Sequence, residues 1–173
     1  LYDSHMKKVK FLGNFYIAYV MAIPFVFGAA AVLPANTLSF SITPSIFIIA
    51  LIAFLAGSGR EIMKDIQDFE GDMKKGVRSF PKYIGIKNSS ILASFFYIIK
   101  IILSFFPFIF DVFPIYYRNI YYILIIILTD VMLMITALQL LFNRDINLKT
   151  YRKTTLVAIF IGLVGFLVGA LMS

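Results

Sequence analysis

Glu61, Asp65, Asp68 and Asp72 stand four, three and four residues apart within the stretch Arg60-Glu61-Ile62-Met63-Lys64-Asp65-Ile66-Gln67-Asp68-Phe69-Glu70-Gly71-Asp72. On a helix, at about 100° per residue, that spacing lays the four carboxylates within roughly 60° of one face. Like charges one turn apart destabilise a helix by about 0.2–0.5 kcal/mol per pair, and acids placed against lipid cost more. A hard divalent cation offsets both costs, and Mg2+ suits carboxylate oxygens and commonly bridges them to phosphates. Gly71 is a candidate helix terminator, which would take Asp72 off the stripe. Arg60 and Lys64 lie one turn apart beside the acids, and Lys74, Lys75, Arg78 and Lys82 follow. Acids for a metal and cations for the remaining charge are together what a diphosphate requires. The bland alternative is a charged helix end with solvated salt bridges, and basic loops by themselves need no more than that.

The rest of the chain says where such a stripe must sit. Of 173 residues, 61% are hydrophobic and 14% charged, with a mean hydropathy of +0.91. A soluble domain is nearer half apolar and a quarter charged, so an all-α integral membrane protein is expected. Strands are not, because an open sheet edge cannot be satisfied in lipid. The absence of cysteine excludes disulfides and thiolate metal sites, and a single histidine, His5, excludes a multi-histidine centre within this sequence. The opening Leu1–Met6 does not read as a signal peptide.

Five apolar segments approach the roughly 20 residues a spanning helix needs. They run from Gly13 to Leu33, from Pro44 to Gly59 with a polar continuation past Asp68, from Ser89 to Pro107, from Asn119 to Phe142, and from Thr154 to the end. No internal repeat or linker divides them, so residues 1–173 are expected to form a single membrane domain. The connections alternate in charge. Lys7, Lys8 and Lys10 precede the first segment, seven basic residues from Arg60 to Lys87 follow the second, and Arg144, Lys149, Arg152 and Lys153 precede the fifth. These make 14 of the 16 basic residues; Lys100 lies within a span and Arg118 on the opposite side. The positive-inside rule therefore places the acidic stripe at the cytoplasmic face of a multi-pass protein of the cell membrane. It also explains the net charge of +7 without a nucleic acid partner.

Arg60-Glu61-Ile62, Lys64-Asp65, Asp68 and Glu70-Gly71-Asp72 resemble the second aspartate-rich motif of UbiA-type prenyltransferases. This variant is most similar to the branch that geranylgeranylates geranylgeranylglyceryl phosphate in archaeal ether-lipid synthesis. Tyr2, Lys7, Lys8 and Gly13-Asn14 resemble the segment leading into that family's fifth helix. The resemblance implies nine helices around a cavity, with two aspartate-rich motifs facing each other and both binding Mg2+ and an isoprenoid diphosphate. Here there are five segments, and no Asn-Asp-x-x-Asp-x-x-x-Asp motif precedes Tyr2. The expected fold is thus the C-terminal five helices of the bundle, with the first four absent and an N-terminal half as the implied partner. By resemblance, Asp65, Asp68 and Asp72 are the catalytic acids that hold Mg2+. Arg60, Lys64, Arg78, Lys7, Tyr2 and Asn14 are implied to bind the substrates, which are an isoprenoid diphosphate and a lipid-phosphate acceptor drawn from the membrane.

Other readings stay open on the residues alone: an aromatic acceptor as in quinone synthesis, a non-catalytic partner subunit, or a cation transporter. The Asp-Gly-x-x-Ala-Arg sequence of CDP-alcohol phosphotransferases is absent. Lys100 and Asp130 each fall inside a span, on antiparallel neighbours, and are expected to pair. Tyr116, Tyr117, Tyr121 and Tyr122 are expected to form an interfacial belt on the outer side, and Gly162, Gly165 and Gly169 a face for close helix packing.

Overall fold

The computed structural model describes residues 10–32, 42–142 and 147–172. Its helices are α1 (Lys10–Val32), α2 (Ile42–Lys74), α3 (Phe80–Ser104), α4 (Phe106–Ile109), α5 (Ile120–Phe142) and α6 (Leu148–Leu171). Five of these, all but α4, are long and apolar enough to cross a bilayer. A helix satisfies its own backbone in hydrocarbon, which is why apolar runs of this length settle on one form.

The boundaries differ from the expected ones where capping outweighs hydropathy. Gly71 does not end α2; the helix continues to Lys74 and keeps Asp72 on it. The stop is at Gly76, which has φ +68°. There the Val77 amide donates to the Asp72 carbonyl at 3.0 Å and the Gly76 amide to the Met73 carbonyl at 3.2 Å. This pair of bonds is the Schellman pattern, which needs a left-handed residue just past the helix. Helix α3 starts nine residues before Ser89, with Pro81 in its first turn, and its path is broken by Gly85 at φ 80°, ψ 161°. The polar residues from Lys87 to Ser90 interrupt the apolar run and hide that first turn from a hydropathy reading. Helix α6 starts at Leu148, six residues before Thr154, where the Asn147 side chain accepts from the Thr150 amide at 3.3 Å. Asn119 caps α5 in the same way, accepting from the Tyr121 and Tyr122 amides at 3.0 and 3.1 Å.

Helix α2 packs chiefly against α1 and α3; α3 packs on α5, α5 on α6, and α6 returns to touch α2. The buried core joins Ile62, Met63 and Ile66 of α2 to Ala93 and Tyr97 of α3, Leu133 and Ala137 of α5 and Ala158 of α6. Large side chains such as Phe95, Ile102, Leu124 and Phe160 point outward, as lipid-facing residues should. Close approach is built from glycines. A Cβ on Gly59 would lie 2.8 Å from the Tyr97 ring, and one on Gly169 3.0 Å from Tyr122 Cβ. Gly162 and Gly165 likewise abut Thr129, Ile125 and Ile126 of α5, so the glycine face serves the α5–α6 contact.

The tyrosine belt is only half a belt. Tyr117 and Tyr121 are exposed, whereas Tyr122 is fully buried, lies 5.2 Å from the Phe166 ring and donates to the Ser104 carbonyl at 2.8 Å. Four tyrosines in seven positions cannot all point one way from a turn entering a helix, and the inward one joins the core. Lys100 and Asp130 do pair, Nζ to Oδ1 at 2.6 Å, and the Ser104 hydroxyl donates to Asp130 Oδ2 at 2.6 Å.

Candidate active site

The 33 residues of α2 span about 50 Å at 1.5 Å per residue, against a hydrocarbon core of about 30 Å. Its last dozen or so residues therefore project past the apolar layer, and these carry Asp65, Asp68 and Asp72. Asp65 is fully buried, Asp72 is 8% exposed and Asp68 is half-buried. Glu61, 2% exposed, accepts from Arg60 at 3.2 Å and closely from Lys64 one turn on. The stripe thus divides: Glu61 is matched by its own helix, and the three aspartates continue beyond it.

Asp65 is held from the neighbouring helix. Asn14 Nδ2 donates to Asp65 Oδ2 at 2.7 Å, both residues being buried. Phe15, the next residue, fixes that approach. Its ring stacks on Phe54 of α2 at 6.2 Å and meets Phe80 and Phe96 of α3 edge-on at 5.8 and 6.2 Å. Apolar packing of Phe15 thus sets where the polar Asn14 points. Asn14 is implied by resemblance as a substrate contact, and here it is found supporting an acid.

Arg78 and Lys75 are exposed in the turn between α2 and α3, and Lys74 is exposed at the end of α2. Tyr2 and Lys7 lie outside the described residues. Beside the acids, several buried polar atoms lack a hydrogen-bond partner among the described residues: Arg60 Nε, Gln67 Oε1, Ser58 Oγ and Ser79 Oγ. More than nine in ten buried polar groups in proteins are satisfied, so a partner beyond the described residues is expected for these atoms. Gln67 was not among the residues expected to act. Its spacing from Arg60 and Lys64, seven and three residues, places all three on one helix face and is the signal that could have found it.

Among the described residues, no three His, Cys, Asp or Glu side chains converge on one point that could hold a metal ion. Mg2+ does not require that. It keeps several waters and is commonly bound through one or two carboxylates plus substrate phosphates. The carboxylates of α2 are hard-oxygen donors of the kind that suits a hydrated Mg2+.

Deeper in the membrane, α1, α2, α3, α5 and α6 surround a small apolar cavity of about 80 Å³. Met21, Phe25, Ile52, Ala56, Leu133 and Phe166 line it, and Lys100 is the charged residue in its wall. Ala56 precedes Asp65 by nine residues, or about 13 Å of helix rise. The acids and the cavity therefore lie at successive depths along α2.

The model of the UbiA prenyltransferase family matches residues 1–150. The digeranylgeranylglyceryl phosphate synthase of Archaeoglobus fulgidus is 40% identical over 171 residues, covering 98% of this chain and 55% of the relative. The protein of that name from Methanocaldococcus jannaschii is 36% identical over 174 residues, covering 99% of this chain and 56% of the relative. A solved structure from work on digeranylgeranylglyceryl phosphate synthase in membranes superposes with a TM-score of 0.83 at 32% identity, covering 99% of this chain and 57% of that one. The chain spans about half the length of the curated relatives it matches.

Proposed function

The chain belongs to the UbiA prenyltransferase family, and from that membership we propose that it is the C-terminal membrane domain, residues 1–173, of a Mg2+-dependent geranylgeranyltransferase. The donor is geranylgeranyl diphosphate and the acceptor geranylgeranylglyceryl phosphate, as the names of the relatives suggest. The observation that carries this reading is the acidic stripe of α2, braced by Asn14 and flanked by orphaned polar atoms and by cations.

Asp65, Asp68 and Asp72 hold the metal, which when bound neutralises part of the diphosphate charge. Arg60, Lys64 and Arg78 take up the rest, and the orphaned Arg60 Nε is a donor ready for a phosphate oxygen. Tyr2 and Lys7, outside the described residues, are further substrate contacts in this reading. The allylic C–O bond of the donor breaks with its electron pair leaving on the diphosphate. The acceptor hydroxyl oxygen forms the new C–O bond to that carbon, and its proton goes to an oxygen of the released diphosphate. Arg60, Lys64 and Arg78 stabilise the charge that grows on the leaving group. The apolar helices keep water from the electron-deficient carbon. The second acidic motif and the remaining wall come from an N-terminal half. The site opens to the cytoplasmic side of the cell membrane, which the distribution of 14 of the 16 basic residues supports.

The test joins this chain to the N-terminal helices of the Archaeoglobus fulgidus relative and measures prenyl transfer to geranylgeranylglyceryl phosphate. Asp65→Ala and Asp68→Ala should each abolish turnover. Near-normal Mg2+-dependent turnover in both, or transfer to an aromatic acceptor in preference to the lipid, would overturn the proposal.

A further inference from the structure

We propose that the kinked start of α3, residues 80–87, is a membrane-surface anchor that selects anionic lipid headgroups in the leaflet on the side of the acidic stripe. The anchor is separate from the prenyl-transfer machinery and uses none of the residues assigned to it.

Asp130 stands near the midpoint of α5 and pairs with Lys100, so Lys100 marks the middle of the passage of α3 through the bilayer. Half of a hydrocarbon core of about 30 Å is about ten residues of helix. Counted back from Lys100, the apolar layer ends near Ser90, at the edge of the polar run Lys87-Asn88-Ser89-Ser90. Residues 80–87 therefore stand at headgroup depth. They do not continue the spanning helix in a straight line. Gly85, at φ 80° and ψ 161°, breaks the path in a conformation that a side chain would resist, and its carbonyl accepts from the Ser89 hydroxyl at 2.9 Å.

The turn before that break has two sides. Phe80 and Pro81 are buried, and the Phe80 ring meets Phe15 of α1 edge-on at 5.8 Å, which fixes this side to the bundle. The other side, with the residue after the break, carries Tyr83, Ile84 and Ile86, 57%, 39% and 49% exposed. Facing bulk water, such a cluster gains nothing. At the boundary of headgroups and acyl chains it is buried, and tyrosine is enriched at that depth. Lys82 and Lys87 flank the cluster, Lys74 and Lys75 stand where α2 ends, and all four are exposed. Among the described residues, none of the four pairs with a carboxylate. A merely solvated loop would carry its cations without the apolar cluster. Here a leaflet of anionic lipids matches both, its acyl chains meeting the apolar side chains and its headgroups the ammonium groups.

The sequence has no tryptophan, so Tyr83→Trp is a single fluorescent reporter. The test uses the chain joined to the N-terminal helices of the Archaeoglobus fulgidus relative, with any tryptophan of that half replaced by phenylalanine. It is reconstituted in mixed phosphatidylcholine and phosphatidylglycerol vesicles in which one lipid or the other carries bromine high on its acyl chains. Bromine quenches a tryptophan that it touches. Either brominated lipid should quench, and phosphatidylglycerol should quench as if enriched about fivefold over its share of the vesicle, the size of one contact between a basic side chain and an anionic surface. In 1 M salt, where the screening length is about 3 Å, the enrichment should fall below about twofold. Lys82→Gln/Lys87→Gln should lose most of the enrichment and keep the quenching. Leu124→Trp, exposed on α5 toward the opposite leaflet, should show no enrichment. If Tyr83→Trp does not fold, Ile86→Trp carries the same expectations. Absence of quenching by both lipids would show that protein, the N-terminal half included, covers the turn, and would overturn the proposal. Equal quenching by the two lipids, or an enrichment that survives Lys82→Gln/Lys87→Gln, would overturn it as well. The readout involves no turnover, so Asp65→Ala should leave it unchanged, and its failure is distinct from a failure of the prenyl-transfer reading.

Discussion

Replacing Asn14 with leucine removes the donor that braces Asp65 while filling nearly the same space. Asn14 is 3% exposed and Asp65 fully buried, so no solvent stands ready to take over a bond of 2.7 Å. A hydrogen bond to a charged group contributes about 1.5–3 kcal/mol. At a factor of ten per about 1.4 kcal/mol, the loss in kcat/KM should be about ten- to a hundredfold if the brace acts through the carboxylate. The assay is prenyl transfer in the chimera with the Archaeoglobus fulgidus helices, run across a Mg2+ titration. If Asn14 orients Asp65 toward a metal, the Mg2+ concentration for half-maximal rate should rise in Asn14→Leu. A loss of folded protein alone would lower the maximal rate and leave that concentration unchanged. Activity within about threefold of the parent, at less than 1 kcal/mol of lost stabilisation, together with an unshifted Mg2+ titration would refute the idea that this bond positions the acid.

Two glycines of α2 should respond in opposite ways to alanine. Gly59→Ala drives a methyl group to 2.8 Å from the buried Tyr97 ring and should destabilise the chain by about 1–3 kcal/mol, whereas Gly71→Ala meets nothing within 4 Å and should stabilise it by about 0.8–1 kcal/mol through helix propensity. Thermal unfolding in detergent measures both, and equal shifts would contradict the packing described. The sequence has no cysteine, so single cysteines report topology without background. Those at Lys75 and Asn147 should resist an impermeant thiol reagent in intact cells, and one at Ala35 should react; the reverse pattern would invert the orientation.

The sequence alone determined the membrane class, the five spans and the acidic stripe. Each depends on neighbours along the chain: apolar runs long enough for a bilayer, and a period of three and four that returns acids to one helix face. The pairing of Lys100 with Asp130 was also legible, because two opposite charges in adjacent antiparallel spans have few other partners. The helix ends were less so. Gly71 looks like a terminator, but the stop is decided by which residue takes the left-handed conformation and bonds back, and that is Gly76. Only tertiary structure decided what the side chains do across helices. That Asn14 reaches Asp65 across 51 positions follows from Phe15 wedging between α2 and α3. That Tyr122 turns inward follows from the room Gly169 leaves beside it. That Lys100 and Asp130 meet within bonding distance follows from the packing of α3 on α5. Each of these is a distance between residues far apart in the chain, and no local pattern encodes it.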